Sequence, residues 1–286
     1  MATAGADGPP TSTVLTVEVH AHVATVWLDR PEARNAMGPE LFTDLPVALD
    51  YLGTDDDVRA VVIAARGPHF CVGLDLRSGI LGAAAGGDEA GRSPRSTGGQ
   101  AVRARREVLR LQASISAPAR CPKPVVAAVH GYCIGGGVDL ITACDIRLAS
   151  ADARFSVRET RMAIVADLGS LQRLPRLIGM GHVAELAFTG ADIDAARARE
   201  IGLVNAVLPD AEATVEAARA LASEIAANPP LAVQGTKAVL AAGDGRTVEE
   251  GLDYVATWNA GALPTSDLAE AVAAFSEKRP PRFTGD

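Results

Sequence analysis

Aromatic residues make up only 4% of this 286-residue chain, and its 27 Lys and Arg are outnumbered by 35 Asp and Glu, for a formal net charge of −8. Few stacking rings and an acidic balance give no electrostatic case for nucleic acid or for an anionic membrane as partner. Any anionic ligand must therefore be held locally, by Arg, Lys or helix N-termini, against an overall field that repels it. Cysteine is scarce as well. Cys71, Cys121, Cys133 and Cys144 form no C-x-x-C pair and have no His at metal-ligand spacing. That argues against a zinc site or disulfide framework and for reduced, packed thiols. No stretch reaches the ~18 apolar residues of a membrane span. The first residues lack a basic n-region and an apolar h-region, so residues 1–12 read as a disordered leader and a cytoplasmic location is expected.

What is present is 48% hydrophobic residues, enough for one large core. Val14, Val17 and Val19, then Val23, Val26 and Leu28, flank His20-Ala21-His22 and read as a β-hairpin. A helix is expected over Pro39 to Leu52, kinked at Pro46 and ended by the Thr54 to Asp57 run. Buried strands follow at Val58 to Ile63 and Pro124 to Val129, the second running into a triple glycine and a helix from about Val138. Between them Ser78 to Gln100, rich in Gly, Ala and Ser, reads as a loop beside the site. From Asp210 the pattern is helical: Val215 to Ala226, Leu231 to Leu240, Val248 to Trp258 and Leu268 to Phe275.

Two segments carry the chemistry. In Phe70-Cys71-Val72-Gly73-Leu74-Asp75-Leu76 a glycine lets the next residue aim its N–H outward. In His130 through Leu140, Gly135, Gly136 and Gly137 open a helix whose first N–H groups have no intrahelical acceptors. Two such donors aimed at one thioester oxygen make an oxyanion hole, where one donor is worth ~2.7–4 kcal/mol.

With these motifs the sequence closely resembles the crotonase (enoyl-CoA hydratase/isomerase) superfamily. The matching segments are Leu28 to Ala36, Phe70 to Leu76, Cys121 to Asp145, and Ala198 to Val204. The resemblance implies an α/β fold, a spiral of ββα units over residues 13–209, and a helical region over 210–286 that makes trimers, often paired into hexamers. It assigns the oxyanion donors to Leu74 and Gly136. Val72, Gly73, Leu74, Asp75, Leu76 and Gly136 become the expected substrate-binding set, with Arg34 near the CoA phosphates. The segment Phe275 to Arg279 resembles one that reaches a neighbouring subunit's CoA, or is simply a solvated basic end.

Family members share the oxyanion hole and differ in their acids and bases, so the carboxylates decide the reaction. Asp139, Glu159 and Asp167 resemble the aspartate, glutamate, aspartate set of the delta(3,5)-delta(2,4)-dienoyl-CoA isomerase branch. Typical hydratases instead carry a second glutamate at the Asp139 position. The resemblance implies Glu159 as base at the carbon alpha to the thioester, Asp139 as distal proton donor, and Asp167 as a group biasing Glu159, through a hydrogen bond among other means. Enoyl-CoA hydratase is the alternative, and a non-catalytic acyl-CoA-binding or RNA-binding role a distant one. Asp145, Asp75, Arg147, His69 and His130 read as structural, Asp75 despite its place in the substrate-binding segment. No cofactor is implied: proton transfer needs neither metal nor nucleotide carrier, no G-x-G-x-x-G stands between strand and helix, and CoA is part of the substrate.

Overall fold

The computed structural model describes residues 8–80 and 96–286. Strands β1 (Leu15–His20) and β2 (Val23–Leu28) form the expected hairpin. Ala21 and His22 turn it with φ of 46° and 67°, the left-handed pair that matches strand twist. β3 (Ala60–Ala65), β4 (Val125–Val129), β6 (Ile146–Ser150) and β9 (Ala206–Leu208) continue the sheet in parallel, in the order β1-β2-β3-β4-β6-β9. The unbroken apolar run of β3 has a physical cause. Val61, Ile63 and Ala65 point into one core while Ala60, Val62 and Ala64 point into another on the opposite face.

The first face is covered by α1 (Pro39–Thr54), which buries Leu41, Phe42, Leu45, Leu49 and Leu52 and continues through Pro46 as one element. The second is covered by α8 (Ala211–Ala226), capped by the Asp210 carboxylate on the Ala213 N–H at 2.8 Å. Its Ala218, Ala222 and Ala226 recur every fourth residue and lie flat on the sheet. The helical region expected from residue 210 thus gives its first helix to the core. The leader expected over 1–12 lies outside the described residues up to residue 7. At its end Ser12 accepts the Val14 and Leu15 N–H groups and donates to Asp44 at 2.7 Å.

Part of the loop expected over 78–100 also lies outside the described residues. Its end is helical instead: α2 (Thr97–Ile115) starts at Ser96, whose hydroxyl accepts the Gly99 N–H at 3.3 Å. After the short α3 (Ala117–Arg120), a small second sheet joins β5 (Tyr132–Ile134), β7 (Arg154–Ser156) and β8 (Ile193–Asp194). Helices α4 (Gly136–Thr142), α5 (Ser170–Leu177), α6 (Met180–Thr189) and α7 (Ala195–Glu200) fill out the core.

The end of the chain is α9 (Pro230–Ala242), α10 (Val248–Ala262), opened by a Thr247/Glu250 capping box, and α11 (Ser266–Glu277). Lys237 ties α9 to the core, donating to the Pro118 and Lys123 carbonyls and to Asp145 at 2.7 Å. Asp145 also accepts the Val125 N–H, and Arg147 donates to the Cys144 and Leu203 carbonyls, so both act at element ends as expected. All four cysteines are buried and unpaired.

Candidate active site

The two motifs are brought together by backbone pairing. Phe70 and Cys71 donate to the carbonyls of His130 and Tyr132, and Ile134 donates back to Cys71, each at 2.9 Å. The first motif thereby becomes an added edge of the small sheet, and Gly73 faces the glycine turn. A Cβ at Gly73, where φ is +90°, would stand 3.1 Å from the Ile134 carbonyl and 3.7 Å from the Gly136 nitrogen. Only glycine allows that approach. Met37 locks the strip from the other side, donating to Gly73 O at 2.8 Å and accepting from Asp75 N at 3.0 Å. Leu74 between them, and Gly136 at the first position of α4, donate to no acceptor among the described residues. Two unsatisfied N–H groups thus stand side by side, with the dipole of α4 behind one of them.

They stand on the wall between two cavities. The outer, of about 450 Å³, is lined by Arg34, Val72, Gly73, Leu74, Leu76, Tyr132, Gly136, Arg158, Glu159 and Ile164 among others. The inner, of about 370 Å³, is lined by Leu74, Ile80, Val108, Leu111, Gly136, Asp139, Glu159, Ile164, Asp167 and Leu168. Leu74, Gly136, Glu159 and Ile164 belong to both. Asp75, expected in the substrate set, lines neither. Its carboxylate turns away to Arg30 at 3.1 Å and to the Arg77 N–H, because alternate residues of an extended strip face opposite ways.

Asp139, 1% exposed, accepts the Ser170 N–H at 2.5 Å. Burial, and then the charge of Glu159, push its carboxyl up to about 7, against the pull of Ser170 and Arg173. Glu159 is held above the usual carboxylate range by burial and then by the negative charge of Asp167. One of its oxygens, Oε2, is buried without a hydrogen-bond partner, and the other lies 3.2 Å from where a Cβ on Gly135 would be. Burial also raises Asp167. The hydrogen bond expected between Asp167 and Glu159 is absent among the described residues; Asp167 acts on Glu159 through its charge. Gln112 of α2 anchors that segment by donating to the Asp167 carbonyl at 2.7 Å. Three carboxyls of raised pKa in an apolar chamber, beside two free backbone donors, can hold and move protons along a bound chain whose charge the donors absorb.

The enoyl-CoA hydratase/isomerase family model matches residues 18–286. The chain belongs to that family. It is a crotonase-superfamily enzyme of acyl-CoA metabolism, with the superfamily's α/β fold of two sheets and C-terminal helices. The peroxisomal delta(3,5)-delta(2,4)-dienoyl-CoA isomerase of Arabidopsis thaliana is 45% identical over 258 residues, 90% of each chain. The mitochondrial enzyme of that name from Homo sapiens is 44% identical, over 90% of this chain and 77% of its own. Among solved structures, an enoyl-CoA hydratase from Bacillus anthracis superposes with a TM-score of 0.84 at 32% identity, covering 96% of this chain and all of its own.

Several residues that shape this crotonase site escaped the sequence reading. Met37, Gln112, Tyr132, Arg158, Ser170 and Arg173 reach it from five separate stretches of chain. Ser170 and Arg173 lie in the stretch after Asp167, and an N-terminal helix turn following a buried acid was the available signal. His69 and His130 stay peripheral: the Tyr132 N–H donates to His69 Nδ1 at 3.3 Å, and His130 Nε2 meets the Gly67 carbonyl at 2.8 Å.

Proposed function

We propose that the enzyme isomerises 3,5-dienoyl-CoA to 2,4-dienoyl-CoA. The observation that carries this reading is the staggered arrangement of the acids. Glu159 shares the dividing wall with the Leu74 and Gly136 N–H groups, whereas Asp139 and Asp167 line the inner cavity alone. A thioester oxygen on those two N–H groups puts the alpha carbon beside Glu159 and runs the acyl chain past Asp139. Glu159, ionised, removes the proton from the alpha carbon. The electron pair spreads through the conjugated chain onto the thioester oxygen, and Asp139 protonates the far end. One proton leaves and one arrives, so no water is added. The cycle closes when Glu159 releases its proton and Asp139 regains one.

The electrostatics support the same division of labour. An acid with its pKa pushed up to about 7 still carries its proton near neutrality and can donate it. The dienoyl-CoA isomerase relatives support the substrate. Arg34 and Arg158 on the outer cavity are the local cations that an anionic CoA requires of an acidic protein. Exposed Leu240, Val248, Leu252 and Phe275 on the last helices support a homo-oligomer, a trimer or dimer of trimers, that covers them.

Parallel ultraviolet assays on a 3,5-dienoyl-CoA and a 2-enoyl-CoA test the reading. Conjugated-diene absorbance should grow with the first, falling ~10²–10⁴-fold in both Glu159→Gln and Asp139→Asn. Strong loss of the enoyl band with the second, and no diene from the first, would overturn it in favour of hydration.

A further inference from the structure

When an acid gives up its proton in a buried chamber, a negative charge is left where water does not reach, and the ease of that step depends on what receives the charge. Two residues one turn apart on α5 act on Asp139, Ser170 by contact and Arg173 by charge. The Ser170 N–H, in the first turn of the helix, donates to Asp139 Oδ1 at 2.5 Å. The Ser170 hydroxyl is equally buried and completes no hydrogen bond in its present rotamer. A rotating hydroxyl can accept from a protonated carboxyl and donate to an ionised one.

Arg173 acts on Asp139 through its charge, without an ion pair between them. Its Nη2 donates to Ser116 Oγ at 2.5 Å and its Nη1 to the Leu168 carbonyl at 3.3 Å. The guanidinium lies over Gly169, at φ +126°, where a Cβ would collide with it. Among the described residues the titratable and charged groups facing Asp139 are Glu159, Arg173, the Asp167 carboxyl on the same inner cavity, and the buried thiols of Cys71 and Cys133. Arg173 is the cation of that set. Its fixed bonds keep the charge near while leaving the Asp139 proton free to move.

We propose that Ser170 and Arg173 are positioning residues that take up the charge left on Asp139 when it hands its proton to the substrate. The O–H bond of Asp139 breaks and a C–H bond forms on the acyl chain. The carboxylate keeps the electron pair, and the Ser170 hydroxyl swings from accepting to donating. Neither Ser170 nor Arg173 changes its own protonation. This rests on the isomerase reading only for the identity of the proton acceptor.

The test follows Asp139 directly in the substrate-free enzyme. Infrared spectra recorded against pH contain the carbonyl stretch of its protonated form, identified as the band missing from Asp139→Asn. Removing a donor or a cation favours the protonated carboxyl, so Ser170→Ala and Arg173→Met should each move the titration midpoint up by about one pH unit. Arg173→Lys should restore most of it. The alkaline limb of kcat for diene formation should move with the midpoint. Unchanged midpoints in Ser170→Ala and Arg173→Met would overturn the proposal. Should Arg173→Met not fold, the near-isosteric Ser170→Ala decides alone. Midpoints that move in an enzyme forming no diene would leave the charge-uptake role standing and remove the isomerase reading.

Discussion

The outer and inner cavities share a wall and almost nothing else. The outer is edged with Arg34, Arg158 and Tyr132, surroundings for a polar, charged handle. The inner is lined by Ile80, Val108, Leu111 and Leu168 around three carboxyls, and among the described residues no cation lines it. Charge therefore plays opposite parts in them. In the outer cavity, open to water, cations attract a ligand at long range and are screened by salt. In the inner one, burial raises all three carboxyls and brings Asp139 up to about 7, which suits it to proton donation.

The largest break in this division should come at the wall. A Cβ on Gly136 would stand 2.8 Å from the sulfur of Met37, which is fully buried and hydrogen-bonded to the Gly73 strip. Gly136→Ala should shift both N–H groups together and lower kcat ~100-fold at a temperature where melting shows the variant still folded. Next comes the outer cavity: Arg34→Ala should raise KM several-fold, about 1 kcal/mol of binding, at unchanged kcat, with the penalty shrinking at high salt. The smallest effect sharpens the inner cavity. The negative charge of Asp167 raises Glu159, so Asp167→Asn should lower the Glu159 pKa. The acid limb of kcat/KM, which requires ionised Glu159, should then move to lower pH. A rate and pH profile identical to the unaltered enzyme would deny Asp167 its influence.

How much of this was legible beforehand follows from how local each signal is. The β1/β2 hairpin and the β3 and β4 runs were readable because burial on one or both faces leaves a periodic or continuous apolar pattern. Helix ends were less so. α2 begins several residues early because Ser96 caps it inside a stretch whose Gly and Ser content suggests a loop. The α8 alanines read as ordinary helix until the sheet beneath them was visible. At the site, Leu74, Gly136 and Glu159 stood in motifs that keep their spacing along the chain. Asp75 shared a motif with them and read both as a substrate contact and as a structural partner; its pairing with Arg30 fits the second. Met37 depends on a chain crossing that no local pattern records, and Ser170 and Arg173 left only the sign of a helix turn after an acid.

The wall between the cavities has a consequence for selectivity. With the thioester oxygen pinned on the proposed reading at Leu74 and Gly136, every later atom of the acyl chain is counted from that fixed origin, and the acids become graduations on a ruler. Such a site distinguishes substrates by the number of bonds between carbonyl and double bond. A chain extended at its far end keeps its reading on that scale, whereas one whose unsaturation is displaced by a single carbon brings the wrong atom to each mark.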